Sequence, residues 1–437
     1  MSILKVGVGI FSFLTYHRQG KVAYDGRTVN TDPRMTNTPG DRTQIWLAIL
    51  ASAAILTGIQ LILPALPVMQ RELGLSDSQI SLVTSAYLFP SVLFAFPSGL
   101  LADRFGRRPV FIVSLSIFGL CGLALLFSPS FTIIVMIRVV QGSAFAAVHP
   151  LSITMIGDVR SGGDQVRAQG LRYVALAISD AALPVIGGLV VGISWLLPFS
   201  LQVVALPLAL AGWFLMPKSS VSRQPTAGYW RQLFRILKQK TSLALQLSGF
   251  LRFVFKFAFM TYIPILLVSK RGLSPTFVGV ALGGAALSGT AMVAVSGRLV
   301  RLVAPSRLMA VSLVVIGTSF IAMAIDRSAI FVLPLCLAFG AADGIYGVLQ
   351  NVLITQTPPA DLRAAFIAAT ASVRNFGKFS APSILGLSVL VFSLEQSFIF
   401  LGLLALAALL TIPILRQLDW RLTTDGSVDP IETTEPQ

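Results

Sequence analysis

An all-α membrane protein with twelve spanning helices arranged as two six-helix repeats is the fold this sequence predicts, and three observations carry the prediction. The 437 residues are 55% hydrophobic and only 12% charged, with a mean hydropathy of +0.81, whereas ordinary soluble domains run at about a quarter charged. The apolar residues gather into twelve runs of roughly the 20-residue length that a bilayer core demands. A constant shift of 198 carries landmarks of the first half onto the second.

The runs fall at about 44–69, 79–101, 109–128, 131–156, 167–191, 195–217, 241–268, 277–298, 308–325, 329–355, 364–392 and 396–415. Those longer than 20 residues fit a bilayer by tilting. Connections such as 326–328 hold only turns. The one sizeable linker carries Arg223, Arg231, Arg235, Lys238 and Lys240. The chain therefore divides into a tail (1–43), a six-helix bundle (44–217), a linker (218–240), a second six-helix bundle (241–415) and a closing tail (416–437). Within the first tail, Val6 to Leu14 is too short to span, and a plausible start at Met35 makes residues 1–34 a start-site extension or a disordered tail. The acidic stretch after Thr423 is expected without regular structure.

The shift of 198 takes Leu75-Ser76 to Leu273-Ser274, Ser98-Gly99 to Ser296-Gly297, Gly142 to Gly340, Pro184 to Pro382 and Gly188 to Gly386. Parallel repeats of this kind are a transporter design, with a binding site between the halves near mid-membrane.

The net charge of +15, from 33 Lys and Arg against 18 Asp and Glu, is explained by topology. With the linker in the cytoplasm, Arg104, Arg107, Arg108, Arg160, Arg167, Arg298, Arg301, Arg307, Arg363, Arg416 and Arg421 lie on that side. Only Arg71, Lys270, Arg271 and Arg327 face outward. This is the positive-inside pattern, so no nucleic-acid partner is needed, and the even helix count puts both termini in the cytoplasm. Cys121 and Cys336 lie in apolar runs, which leaves neither a disulfide framework nor a thiolate metal site. No cofactor or metal is expected, no phosphate-binding G-x-x-x-x-G-K-[ST] loop occurs, and the chain is read as a transporter rather than an enzyme.

After the second run the chain reads Gly99-Leu-Leu-Ala-Asp103-Arg104-Phe-Gly106-Arg107-Arg108-Pro109. Gly99 permits close helix approach, Gly106 a tight turn, and Asp103 can accept hydrogen bonds from a helix amino end, while Arg107 needs an anionic partner. This segment resembles the signature loop of the major facilitator superfamily. The resemblance covers essentially the whole chain after Thr43 and implies a major facilitator fold. It also implies that Asp158 pairs with Arg107 to close the cytoplasmic side in an outward-facing state. In the second half, Ser296-Gly297-Arg298-Leu-Val-Arg301 keeps the glycine but has Arg301 for the acid. Arg138-Val-Val-Gln141-Gly142 is similar to the R-x-x-Q-G motif of proton-coupled members. Ser179 to Gly188, with Pro184, Gly187 and Gly188, resembles the drug-antiporter motif but carries Leu183 in place of its first glycine.

Seven ionisable residues fall inside the expected helices: Arg138, Asp180, Arg252, Lys256, Asp343, Arg374 and Lys378. Each costs about 2.5–3.5 kcal/mol on insertion scales, so such residues face a cavity and mark function. Arg252 and Lys256 are four apart, as are Arg374 and Lys378, so each pair shares a helix face and repels unless an anion compensates. The expected substrate site is Arg252, Lys256, Arg374 and Lys378 with Gln60, Gln350, Tyr262 and Tyr346, although packing is the alternative for the tyrosines. Asp343 and Asp180 are the candidates for proton coupling, tuned by Arg138. An alternative makes both acids structural partners of cations such as Arg374 or Lys378.

The sequence thus points to a monomeric secondary transporter of a small organic molecule in the plasma membrane, with the cation pairs favouring an anionic one. Proton-driven efflux leads. Uptake or exchange of an anionic metabolite is one alternative, and a non-transporting membrane sensor or assembly factor is another.

Overall fold

The computed structural model describes residues 39–127, 130–160, 162–216, 234–325, 330–358, 363–418, 420–422 and 428–430. Residues 1–38, most of the linker and the last residues of the chain, about which expectations were stated, lie outside the described residues. Twelve helical spans follow one another: α1 (Pro39–Leu56, resumed over Leu66–Glu72), α2 (Asp77–Phe105), α3 (Arg107–Leu125), α4 (Phe131–Val159), α5 (Gly162–Val191) and α6 (Leu197–Leu215), then α7 (Lys240–Ile265), α8 (Pro275–Leu302), α9 (Pro305–Ile325), α10 (Val332–Gln356), α11 (Arg363–Ser388) and α12 (Leu394–Leu418). Nine of them are long and apolar enough to cross a membrane by length and composition, α1, α2 and α11 being the others among the described residues.

The repeat is visible in how helices begin and touch. Gly74 and Gly272, 198 apart, both turn the chain at positive φ, 62° and 70°, a conformation that glycine adopts without strain. Two residues later, Ser76 and Ser274 cap α2 and α8, their hydroxyls accepting from the amides of Gln79 and Phe277. A Cβ on Gly142 would come closer than 3.0 Å to the Tyr87 carbonyl of α2, and one on Gly340 equally close to the Ala285 carbonyl of α8. Tyr87 and Ala285 are again 198 apart. Within the halves, α2 packs on α4 as α8 packs on α10.

The first expected span, 44–69, is not one helix. After Leu56 the chain passes through turns over residues 57–62 and a single 3-10 turn, Leu63–Ala65, before α1 resumes. Pro64 and Pro67 supply no amide hydrogens, and their rings exclude the carbonyls four residues back, so apolarity alone could not keep this stretch helical. The tail also differs from expectation, because Val428–Pro430 pairs antiparallel with Trp420–Leu422.

Between the halves, α5 meets α8 and α2 meets α11. The α5–α8 seam is tight where Gly188 lies against Pro275, Pro184 against Gly279 and Ala181 against Gly283. The α2–α11 seam is closed by Gly386 on Ser81, by a Ser383 to Ser85 hydroxyl contact of 3.2 Å and by the Phe89 and Phe379 rings, 5.3 Å apart. Asn375 Nδ2 donates to the Ser91 carbonyl at 3.4 Å, in the middle of α2. Toward the other end, the end of the Gly106 turn, Leu93 and Phe94 on α2 and Ile367 on α11 are exposed, and nothing lies within 4 Å of where a Cβ would sit on Gly170 or Gly297. The bundles thus touch at the end of the Gly74 and Gly272 turns and part toward the end of the Gly106 turn.

Candidate functional site

The second bundle concentrates charge. Asp343 on α10 is buried and ion-paired to two residues of α7, with its Oδ1 2.8 Å from Arg252 Nε and its Oδ2 3.6 Å from Lys256 Nζ. Arg252 Nη2 also donates to Asp343 Oδ2 at 3.1 Å and to the Asp343 carbonyl at 3.2 Å. Gly347, one turn along α10, makes this possible, since a Cβ there would collide with the Arg252 guanidinium. The spacing of four that puts Arg252 and Lys256 on one face lets a single carboxylate serve both.

Arg374 and Lys378 on α11 are treated differently. Arg374 Nη2 donates to Gln350 Oε1 at 3.0 Å and Asn351 Oδ1 at 2.9 Å, and Lys378 Nζ donates to Asn375 Oδ1 at 3.0 Å. Neither residue is ion-paired to an acid among the described residues. Neither forms an ion pair with Asp343 or Asp180, although Asp180 lies near enough for its charge to act on Lys378. Asp180 instead accepts from Gln60 Nε2 at 2.6 Å, joining α5 to the broken stretch of α1. Gln350 is fully buried and also donates to Ser248 Oγ at 3.1 Å. Tyr262 and Tyr346 are buried in the packing, and the Tyr262 hydroxyl donates to the Pro382 carbonyl at 3.3 Å.

In the first bundle Arg138 is 1% exposed and has backbone and amide partners. It donates to the Gly58 carbonyl at 2.6 Å, to the Val83 carbonyl at 3.3 Å and to Gln141 Oε1 at 2.7 Å, with its guanidinium 4.3 Å from the Tyr87 ring centroid. The Tyr87 hydroxyl donates to the Ile55 carbonyl at 3.0 Å. Arg138 thus takes up the Gly58 carbonyl in the interruption of α1, and Tyr87 adds a second donor to the Ile55 carbonyl, which also accepts from the Gly58 amide at 3.3 Å. Gln141 passes the network on to the Phe118 carbonyl and to Gln202. Gly142, Gly187 and Gly188 are sites of close backbone approach, Gly187 lying against the Leu61 carbonyl, and Pro184 is in the α5–α8 seam.

At the open end, Gly106 has a φ of 90° and serves as the junction of α2 and α3. Arg107 is ion-paired to Asp158 and donates to Thr154 Oγ1 at 3.1 Å. Both partners are on α4, so the pair lies within the first bundle and is formed while the two bundles are apart at this end. Arg160 reaches Asp41 at 3.6 Å, and Gln44 donates to the Met155 carbonyl at 2.9 Å, tying α1 to the same end of α4. The Asp103 side chain and the surroundings of Gly99 are outside what the structure describes.

Three participants escaped the sequence reading. Asn351 and Asn375, the partners of Arg374 and Lys378, are uncharged and gave no signal. Arg172 is 1% exposed in α5, with Nε 2.8 Å from Ser52 Oγ and 3.1 Å from Ser152 Oγ. Its position five residues inside the run 167–191 marked it as an intramembrane charge.

Comparison with known proteins gives one consistent result. The sequence model of the Major Facilitator Superfamily matches residues 48–382. The bacillibactin exporter of Bacillus subtilis is 30% identical over 149 residues, 32% of this chain and 37% of that protein. The tetracenomycin C resistance and export protein of Streptomyces glaucescens is 30% identical over 196 residues, 44% and 36% respectively. The quinolone resistance protein NorA of Staphylococcus aureus is 27% identical over 158 residues, 36% and 40%. The matched stretches thus span less than half the length of these relatives. In fold, the chain is similar to a bacterial homolog of the human lysosomal transporter Spinster in an inward-facing, unoccupied conformation (TM-score 0.70, 14% identity, 87% of this chain and 95% of that one). It is also similar to a D-xylose-proton symporter (TM-score 0.69, 14% identity, 85% and 97%).

Proposed function

Because the chain belongs to the Major Facilitator Superfamily, it is an integral membrane transporter, and we propose that it exports a small organic molecule in exchange for protons by alternating access. The bundles 44–217 and 241–415 rock about a central site, in the plasma membrane, with both termini and the 218–240 linker in the cytoplasm and the monomer as the working unit. The observation that carries the reading is Asp343, a buried carboxylate held between Arg252 and Lys256. Protonating it removes the carboxylate charge that pairs with both, so proton binding and the arrangement of α7 against α10 are linked. Arg138 holds the interruption in α1 and couples that helix to α2 and α4. The Arg107 and Asp158 pair fixes the rim of the first bundle, ready to meet the second when that end closes. The printed names of the matched relatives, exporters and a resistance protein, favour efflux. Uptake or exchange of an anionic solute is the second reading, favoured by the two cations of α11 that form no ion pair among the described residues.

Everted membrane vesicles from cells expressing the protein test this with bacillibactin, tetracenomycin C and a quinolone. An acid-inside gradient should drive accumulation of at least one compound, and collapsing the gradient should abolish it. Accumulation that needs ATP, or accumulation of none under any gradient, would overturn the proposal.

A further inference from the structure

We infer that Arg374 and Lys378 form a subsite for an anionic oxygen group, a carboxylate, sulfonate or phosphate, carried by a soluble organic solute. The inference rests on the transport reading and names the chemistry of what is transported. Spacing alone made the four cations of α7 and α11 equivalent, and the structure separates them. Arg252 and Lys256 share Asp343. Among the described residues, Arg374 and Lys378 hydrogen-bond to the amide oxygens of Gln350, Asn351 and Asn375 and form no ion pair, the charge of Asp180 acting on Lys378 from beyond ion-pair distance. An amide oxygen aligns a cation without cancelling its charge. Among the described residues, Asp343 is the one acid ion-paired to any of these four cations of α7 and α11.

The arrangement is also built to keep these charges in place. Phe253 of α7 has the Arg252 guanidinium 5.1 Å, the Arg374 guanidinium 5.7 Å and the Lys378 ammonium 5.1 Å from its ring centroid. The ring's negative face attracts cations that would otherwise repel one another, but supplies no counter-charge. Arg374 and Lys378 are one turn apart on α11, so their heads lie on one face, and both side chains are half-buried. Arg374 Nε is buried without a hydrogen-bond partner. A guanidinium with a free Nε donor beside an ammonium suits a group with two or three anionic oxygens, and charge-assisted bonds of this type are the strong ones. Filling the subsite satisfies that donor and offsets the like-charge repulsion together.

The test uses full-length protein in phosphatidylcholine nanodiscs and three probes with one fluorophore and different charge: dansylglycine (anionic), dansylamide (neutral) and dansylcadaverine (cationic). Dansylglycine should bind about tenfold or more tightly than the other two. The Arg374→Gln, Lys378→Gln double variant should lose that preference, and Arg374→Lys, which keeps the charge, should retain most of it. Displacement of dansylglycine by phosphatidylglycerol added to the disc would identify a lipid headgroup as the occupant and overturn the soluble-solute assignment. Equal affinity for the three probes, binding of none, or an unchanged preference in the double variant would overturn the subsite. Gradient-driven export in everted vesicles, measured on the same variants, decides separately whether the chain transports at all.

Discussion

Replacing Asp343 by Asn keeps the shape of the side chain and removes the charge that pairs with both Arg252 and Lys256. The pair distances are 2.8 and 3.6 Å. At an effective dielectric of about 20 these correspond to gross attractions of about 6 and 5 kcal/mol. Most of that offsets the cost of burying the three groups, and the measurable loss is set by the charges left behind. Removing one partner of a buried pair costs about 3–5 kcal/mol. At about 2–4 °C per kcal/mol for a unit of one bundle's size, the melting temperature should fall by about 10 °C. Arg252→Gln should cost less, because Lys256 still balances the acid. The Asp343→Asn, Arg252→Gln double variant should be more stable than the sum of the single effects by about 1–3 kcal/mol. Scanning fluorimetry of the purified proteins in nanodiscs reads all three. A melting temperature for Asp343→Asn within about 1 °C of wild type, or additivity within about 0.5 kcal/mol, would refute the shared-carboxylate account.

Three further outcomes follow from the packing. Gly142→Val and Gly340→Val each force a side chain against a carbonyl of the neighbouring helix and should cost about 1–3 kcal/mol; equal losses of folded protein on size-exclusion chromatography check their equivalence. Arg138→Gln leaves the Gly58 and Val83 carbonyls without their donor and should destabilise the protein by about 1–3 kcal/mol, with faster amide exchange across residues 55–62 as the readout. Asp158→Asn removes the partner of Arg107 at the open rim, so export rate should fall while affinity for the transported compound stays within about twofold of wild type.

The fold was legible because membranes impose coarse, repetitive requirements. Twelve apolar runs and the landmarks 198 apart were enough to place the helices, and Gly74 and Gly272 belong to the same series. The interruption in α1 was hidden because apolarity reports where a chain can span, whereas Pro64 and Pro67 decide whether it stays helical. The same limit applies to charge. Spacing showed that Arg252 and Lys256 share a face, as do Arg374 and Lys378, but which pair meets Asp343 depends on how α10 packs on α7. That packing turns on a single glycine, Gly347, which leaves room for the Arg252 guanidinium. Asn351 and Asn375 were silent because a neutral polar residue in a helix has no distinguishing pattern until its partner is known. Arg172 was overlooked beside the nearby Arg167, although burial makes the two entirely different residues.

The central claim is that the two bundles expose one site alternately to each side, and paired distance measurements by double electron–electron resonance test it most directly. With Cys121 and Cys336 replaced by Ala, spin labels at the exposed positions Tyr173 and Val295 report the open end of the α5–α8 seam, and labels at Leu189 and Val280 report the closed end. In the state described here the seam is tight where Gly188 meets Pro275 and has open space at Gly170 and Gly297. Varying pH and adding an exported compound should shorten the first distance and lengthen the second, and Asp343→Asn should remove the response to pH. Distances that stay fixed, or that change in the same direction at both ends, would contradict alternating access.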